Sequence, residues 1–190
     1  MSIILQGSTS GSVTLQEPAV AGSTVLDLPA TSGTLDRTNR AGNVLQVVQA
    51  VGSTQQATTG NTYIDMTNMS VTITPSSASN KILAIVNVNG VYAGQSVTGV
   101  QTRLVRGSTS IAFGDCYAGY QATGDQDIGS VVMQILDSPA TTSATTYKVQ
   151  FRSRSGGNEV RVNLNDSPGG NTQLNNDSTN SVITLMEIAA

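Results

Sequence analysis

The sequence contains no histidine and no tryptophan, and it has a single cysteine, Cys116, among its 190 residues. The absence of histidine excludes a Ser-His-Asp triad, a Cys-His pair and any metal site that includes histidine. A lone cysteine excludes a disulfide within one chain. The side chains that most hydrolases and many metalloproteins rely on are therefore missing, and the sequence predicts a protein that is not an enzyme.

Charged residues are also scarce, at 11% of the chain against roughly 25% in typical globular domains. Uncharged polar residues replace them, which favours a subunit that stays packed against copies of itself. The net charge is −3 and the nine Lys and Arg residues are spread along the chain, so nucleic acid is not predicted as a partner. No segment approaches the ~20 apolar residues of a membrane span, and residues 1–11 lack the cationic region of a secretion signal. We therefore expect synthesis in a cytoplasm and no membrane insertion.

Only weak signals for chemistry remain. Cys116 has no identifiable base nearby, and its setting is typical of a small, half-buried residue at the end of a strand. Asp115, Asp125 and Asp127 offer carboxylates for glycoside hydrolysis or for calcium, but their spacing positions no pair and lacks the glycine and distant glutamate of an EF-hand. A solvated turn is the favoured interpretation, and no catalytic residue, metal or cofactor is predicted.

The apolar positions are filled mainly by Val, Ile, Leu and Ala, and Val, Ile and Thr favour β-strands. No window shows helical periodicity with caps, and strand-like segments separated by turn residues follow one another from about residue 43. This pattern indicates an all-β fold, and its long connections favour a jelly-roll-like β-sandwich. The predicted strands are 44–51, 63–66, 71–74, 81–88, 100–106, 109–113, 128–136, 147–154, 160–164 and 182–188.

Residues 1 to about 42 follow a different pattern, in which short apolar pieces alternate with Gly, Ser and Thr. Gly11–Leu15 and Gly22–Leu28 form a weak tandem of extended units, each too short to bury its apolar residues alone. Each piece therefore needs the main domain or the same segment of another chain as a neighbour. A floppy tail is the alternative, but regular apolar spacing argues against it. We predict that residues 1–42 form an extended attachment and oligomerisation segment, followed by a β-sandwich domain at 43–190.

The predicted strand 182–188 has two largely apolar faces. Val182, Met186 and Ile188 share one face, and Ile183, Leu185 and Glu187 share the other. Both faces should be covered, one by the sandwich and the other, in a symmetric oligomer, by a neighbouring subunit. This pattern assigns Ile183 and Leu185 to a subunit interface. The alternative is a central strand that its own chain covers on both faces.

The loop 114–127 is the preferred candidate for contact with a receptor. It carries Tyr117 and Tyr120, whose exposed rings would suit the face of a saccharide, and Asp125 as a hydrogen-bonding carboxylate. The alternative is that the aromatic rings plug the end of the sandwich. The turn-rich loop 165–170 is a second candidate for sugar binding through its amide and carboxylate groups.

Several stretches resemble a known class of proteins. Residues 7–35, GSTSGSVTLQEPAVAGSTVLDLPATSGTL, are similar to a segment of phage tail-fibre and related virion proteins, particularly those of marine and cyanobacterial phages. In that class the segment commonly precedes a C-terminal domain. Residues 69–90, 104–115, 136–153 and 181–190 resemble parts of that domain, in the same order.

The resemblance implies a homotrimer with a jelly-roll-like C-terminal domain, fixed to other virion proteins by its N-terminal segment. It implies a virion protein that acts as a short tail-fibre-type appendage in attachment to the host surface, with surface polysaccharide as a candidate partner. At ~3.3–3.6 Å per residue, an extended segment of this length spans at most about 140 Å, which favours a short fibre. A capsid decoration or connector with a purely structural role is the alternative. A polysaccharide depolymerase fits poorly, because the chain lacks a long β-helical repeat.

Overall fold

A computed structural model of the chain describes residues 2–16, 19–20, 22, 40–94, 98–117, 126–164 and 179–190. The chain divides into two compact units, Met1–Asp36 and Arg37–Ala190. The predicted boundary at residue 42 stays a prediction, because residues 23–39 are not among those described.

The smaller unit contains a β-hairpin. Strands β1 (Ser2–Gln6) and β2 (Ser12–Gln16) pair antiparallel, with Leu5 opposite Val13. The first unit of the predicted tandem, Gly11–Leu15, is extended as expected and largely coincides with β2. The second unit, Gly22–Leu28, lies almost entirely outside the described residues. Leu5 and Val13 are more than half exposed, so the hairpin does not bury its own apolar residues.

Ten strands are described in the larger unit. They are β3 (Val44–Gly52), β4 (Gln56–Thr58), β5 (Ile64–Ile73), β6 (Lys81–Ala93), β7 (Gly99–Arg106), β8 (Thr109–Tyr117), β9 (Gln126–Asp137), β10 (Thr145–Ser153), β11 (Val160–Val162) and β12 (Ser181–Ile188). No helix occurs in the described ranges, and hence none there is long and apolar enough to cross a membrane. The predicted all-β fold is confirmed.

The ten strands form two sheets. One has the order β5-β10-β7-β8, and the other has the order β3-β12-β6-β11-β4, with β9 paired to the opposite edge of β6. All of these pairings are antiparallel. The chain passes from one sheet to the other between β4 and β5, β5 and β6, β6 and β7, β8 and β9, β9 and β10, and β10 and β11. Repeated crossing between two packed antiparallel sheets is the jelly-roll-like sandwich that the long connections predict.

Most strand predictions hold, with two corrections. The short strand β4 lies in a segment predicted as a connection, and the prediction around residues 67–70 also differs. The segments predicted as strands 63–66 and 71–74 are a single strand, β5. Asn68 has a positive φ of 61°, and the pairing register with β10 shifts at this point. Residues 66–69 of β5 lie opposite Val149 alone. Such a bulge leaves residues unpaired, and it interrupts the alternating pattern that the sequence prediction relied on.

The predicted hairpin between β7 and β8 is confirmed. Its two strands pair from Gly99 opposite Tyr117 to Arg106 opposite Thr109. Gly107 connects them with a positive φ of 58°. Glycine adopts this conformation without steric cost, as the two-residue turns of hairpins require.

The core lies between the two sheets and is built by the alternation of side chains along each strand. Leu104 and Phe151 contribute from one sheet, and Val86 and Leu185 contribute from the other. The largest fully buried side chains are Tyr147, Phe151, Met69, Ile73, Ile82, Leu104, Leu164, Ile183, Leu185, Glu187, Val86 and Val88.

The structure corrects the assignment of Ile183 and Leu185 to a subunit interface. Both side chains have no exposed surface and belong to the chain's own core. The sandwich covers this face of β12, as in the alternative considered above. The outward face of β12 is the one that carries Val182, Met186 and Ile188, all half-buried.

We expect Leu185→Ala to lower the free energy of unfolding by about 2–5 kcal/mol, because it leaves a cavity in a packed core. Urea denaturation followed by circular dichroism measures this change. Gln134→Ala is the matched control, because Gln134 is exposed on neighbouring β9, and its effect should stay within about 0.5 kcal/mol. Equal stability of the two variants would contradict the placement of Leu185 in the core.

Candidate functional site

Glu187 is a fully buried carboxylate at the C-terminal end of β12. One oxygen accepts hydrogen bonds from the backbone N–H and the hydroxyl of Ser76 at 2.7 and 2.8 Å, and from the amide of Asn80 at 2.6 Å. The other oxygen accepts from the amide of Gln46 at 2.5 Å. Burial raises the pKa of Glu187, but these hydrogen bonds outweigh burial and lower the pKa to about 2.

The donors around Glu187 are all neutral, and they come from β3 and from the connection between β5 and β6. A carboxylate held in this way stays ionised and joins separate parts of the sandwich. An open polar cleft lies beside it, lined by Ser76, Ser77, Ser79, Asn80, Ala189 and Ala190. Because both oxygens of Glu187 already have donors, the arrangement is structural and is not that of a general acid or base.

A second carboxylate, Asp137, joins the two sheets. Arg106 Nη1 donates to both of its oxygens at 2.6 and 2.7 Å, and the hydroxyl of buried Tyr147 donates to Oδ2 at 2.6 Å. Burial, followed by the hydrogen bond to Asp137, raises the pKa of Tyr147. The hydroxyl therefore stays protonated, and this cluster also stabilises the fold.

The residues that offered weak signals for chemistry are not arranged as a catalytic site. Burial, followed by the charge of Asp115, raises the pKa of the Cys116 thiol, which donates to the carbonyl oxygen of Ile128 at 3.0 Å. Asp115 itself forms an ion pair with Arg154 at 2.7 Å. Asp125 and the side chain of Asp127 lie outside the described residues. Within the described ranges, no group of three or more His, Cys, Asp or Glu residues could hold a metal ion.

The outward side of the strands β3, β12, β6 and β9 is largely apolar, and we call it the apolar outer face. The pairing registers place Val47, Met186, Leu83 and Leu136 in one row across the four strands, and Val51, Val182, Asn87 and Val132 in another. Val47, Val132 and Leu136 are 55%, 65% and 57% exposed. Val44, Ile85 and Ile188 also lie on this face.

The apolar outer face is comparable in area with the largest apolar patches of typical monomers. Four strands ~4.8 Å apart, followed over about eight residues at ~3.3 Å each, cover roughly 400 Å². The largest apolar patch on a typical monomer measures about 300–600 Å² and often marks an interaction site. The face is thus a candidate interface, on the opposite side of β12 from the predicted one.

The outward side of the other sheet is polar and carries arginines and aromatic rings; we call it the arginine–aromatic face. Its members are Tyr63, Asp65, Gln101, Arg103, Phe113, Asp115, Tyr117, Lys148, Gln150, Arg152 and Arg154. Pairing of β7 with β10 sets Arg103 opposite Gln150 and Gln101 opposite Arg152. The sequence prediction treated the cationic residues as dispersed, because partners in this cluster are about 50 residues apart along the chain.

Tyr63 holds two arginines of this face in place. The guanidinium carbon of Arg103 lies 4.2 Å from the centre of the Tyr63 ring, and that of Arg152 lies 4.7 Å from it. Arg152 also donates to the side-chain oxygen of Gln101 at 2.7 and 2.9 Å and to the carbonyl oxygen of Asn61 at 2.9 Å. These contacts order both guanidinium groups against the sheet.

The predicted receptor loop is described in part. Tyr117 ends β8 on the arginine–aromatic face, 44% exposed, and its ring centre lies 4.7 Å from the guanidinium carbon of Arg154. Tyr120 and Asp125 lie outside the described residues. Phe113, which the sequence reasoning missed, is 66% exposed opposite Arg103. Its position in an alternating strand was the available signal.

No protein-family model and no curated protein sequence matches this chain. Among solved structures, the chain is similar to "Structure of infectious bursal disease virus Gx strain", with 14% identity, 95% of this chain covered and a TM-score of 0.35. It is also similar to "Crystal structure of infectious bursal disease virus VP2 subviral particle", with 16% identity, 95% covered and a TM-score of 0.32. The chain spans 43% and 44% of the length of these two proteins. This similarity is too low to inform function.

The lowered pKa of Glu187 predicts that the protein loses stability in acid. A carboxylate whose folded-state pKa lies below its ordinary value of 4.5 stabilises the fold above that value, and the stabilisation is lost as the pH falls toward 2. We expect Glu187→Gln to cost about 3 kcal/mol at pH 7 and to weaken the decline of stability between pH 5 and 3. Urea denaturation at several pH values tests this, with Glu159→Gln at a partly exposed ion pair as control. An unchanged pH profile in Glu187→Gln would contradict this role.

Proposed function

We propose that this chain is a virion structural protein, a homotrimeric appendage of the short tail-fibre type that attaches a bacteriophage to its host, with no catalytic role. The observation that carries the proposal is the difference between the two outer faces of the sandwich, one apolar and the other rich in arginine and aromatic rings. A subunit of this kind packs through the apolar face and presents the other to its surroundings. The resemblance of residues 7–35 to virion proteins supports the same assignment.

A second copy of the chain is the occupant that best fits the apolar outer face. Its polar members are uncharged, such as Gln49, Asn87 and Thr184, and Lys81 lies at its margin, where it donates to Ser138. Two copies therefore meet without repulsion between like charges. The face supplies roughly half of the ~800 Å² that each partner buries in a standard interface, so other parts of the chain must contribute.

The edge of β9 supports the same conclusion. Among the described residues, β9 has one strand neighbour, β6, and its residues 128–136 include neither a charge nor a proline. Soluble proteins usually protect an open edge with such residues, because its unpaired backbone groups invite another strand. Val132 and Leu136 place exposed apolar side chains along this edge. Apolar side chains are expected at an edge that a neighbouring copy covers.

The hairpin of β1 and β2 supports an attachment role for the N-terminal segment. Ile3, Ile4, Leu5 and Val13 are between 55% and 61% exposed. A two-stranded hairpin is marginally stable at best in water, so it requires a partner for its apolar residues. In the proposed function, that partner is another virion protein or the same segment of the trimer.

We expect the purified protein to be a trimer and the double variant Val47→Asp with Leu136→Asp to be a folded monomer. The two carboxylates lie in one row of the apolar outer face, and burying them in an interface without partners is costly. Light scattering after size exclusion measures the oligomer, and circular dichroism confirms the fold. Ser70→Asp, on the exposed surface of the opposite sheet, should remain a trimer. A monomeric wild type or a trimeric double variant would contradict the proposed interface.

On intact particles, gold-labelled antibodies against the protein are expected to bind at the tail end, and the antibodies should block adsorption to host cells. The three attachment domains of a fibre must reach the cell surface, so they lie where the particle first touches it. Label spread over the head, with a copy number that matches capsid symmetry, would overturn the appendage and favour a decoration protein. In that case loss of the protein should lower the thermal stability of the particle.

A further inference from the structure

The aromatic residues of the sandwich are divided between its core and one surface. Three of the described rings, those of Tyr92, Tyr147 and Phe151, are buried. The other three, Tyr63, Phe113 and Tyr117, lie on the arginine–aromatic face. That face is otherwise polar, so its rings do not belong to an apolar packing surface, and Phe113 leaves 66% of its side chain exposed.

Cationic side chains are concentrated on the same side of the sandwich. Four of the nine Lys and Arg residues lie on the outward side of β7 and β10 or directly after β10. They are Arg103, Lys148, Arg152 and Arg154. Two carboxylates lie among them: Asp115 pairs with Arg154, and Asp65 pairs with Lys148 and attracts Arg103. The side therefore combines both signs, with an excess of two positive charges.

Arg103 is held in a binding-ready position. Its Nε donates to the side-chain oxygen of Gln150 at 2.7 Å, and its guanidinium stacks on Tyr63. Its two terminal nitrogens make no hydrogen bond to the described part of the chain. A planar guanidinium with two free terminal nitrogens matches the geometry of a carboxylate or sulfate, and its prior ordering reduces the entropy lost on binding.

Phe113 is the cross-strand neighbour of Arg103. Side chains opposite each other on one face of a sheet lie about 5 Å apart at Cβ, but the guanidinium of Arg103 extends away from β8, over β10 toward Tyr63. The ring of Phe113 and this guanidinium are therefore the two ends of a site that crosses β7, which we call the platform. A pyranose ring has an apolar face that an aromatic ring can cover. A saccharide that lies across β7 can then place an acidic substituent at the guanidinium of Arg103, and the amide of Gln101 lies one row further along the same face.

We propose that the arginine–aromatic face binds acidic saccharides, with Arg103 receiving the carboxylate or sulfate and Phe113 stacking on the sugar ring. This inference rests on the attachment role proposed above and names the chemistry of the surface that the protein recognises. Acidic polysaccharides carry separated charges between apolar ring faces, which matches a platform of mixed character. A nucleic acid would instead favour a continuous basic surface, and Asp65 and Asp115 interrupt this one.

The affinity of each platform is expected to be low, because the face is flat and one ion pair plus one stacked ring define it. Three copies presented together raise the effective affinity by orders of magnitude. A polymer that offers the same acidic group repeatedly is therefore the appropriate ligand for a test.

The test measures binding of the full-length protein to polygalacturonic acid, dextran sulfate and neutral dextran by isothermal titration calorimetry at two salt concentrations. We expect binding to an acidic polymer that weakens as salt is added, and none to dextran. Arg103→Gln and Phe113→Ala should each weaken binding about tenfold per site. Lys81→Gln removes the same charge from the other sheet and should bind as the wild type does.

Three results would overturn the site: no binding to either acidic polymer, unchanged binding in both variants, or equally tight binding of single-stranded DNA. Light scattering on the same samples separates this inference from the proposed assembly. A trimer that binds neither acidic polymer would refute the saccharide site and leave the trimer intact. A monomer that binds and loses affinity in Arg103→Gln would refute the trimer and support the site.

Discussion

The register of β12 between β3 and β6 is the constraint on which the rest of the sandwich depends. Because side chains alternate along a strand, a shift by one residue would exchange its core-facing and outward residues. Glu187 opposes that shift, since its four hydrogen bonds exist only when its carboxylate points inward toward Gln46, Ser76 and Asn80. A buried carboxylate without donors is far more costly than a misplaced apolar side chain. A polar contact thus fixes the arrangement of a strand that is otherwise apolar on both faces.

The register also determines the character of the apolar outer face. With Leu185 inward, Met186 must point outward, into a row with Val47 and Leu83. Sandwiches with one solvated face usually place polar residues at such positions. The apolar residues at these outward positions therefore favour an interaction surface. The hydrogen bonds of Glu187 determine which face of β12 points outward.

The sequence predicts the strands well where alternation is regular and where a turn is marked, as at Gly107 between β7 and β8. It also indicates that both faces of β12 need cover. The sequence does not show which face of β12 is buried in the core of the sandwich, because a charged residue such as Glu187 suggests that its face points outward. The donors that reverse this preference lie more than 100 residues away in sequence and carry no local signal.

The candidate sites show the same limit of sequence reasoning. A loop that contains tyrosines can be recognised from its local sequence, and it was therefore the predicted receptor contact. Arg103 and Gln150, in contrast, become neighbours only when β7 pairs with β10. In the sequence, polar residues at alternating positions of a strand predict only an ordinary solvent-exposed face. Its character as a cluster of arginines and rings appears only after the strands are placed side by side.

The two outer faces depend on each other in the proposed function. A platform on a rigid sheet is well ordered but flat, so each copy gains little binding free energy, and useful attachment requires several copies at fixed spacing. The apolar outer face supplies that spacing if it joins copies of the chain, and it lies on the opposite sheet from the platform, so assembly leaves Arg103 and Phe113 uncovered. Because the two faces lie on opposite sheets, association through one face adds avidity and leaves the recognition surface on the other face exposed. Weak individual sites on one sheet and an apolar interface on the other are therefore expected in the same protein.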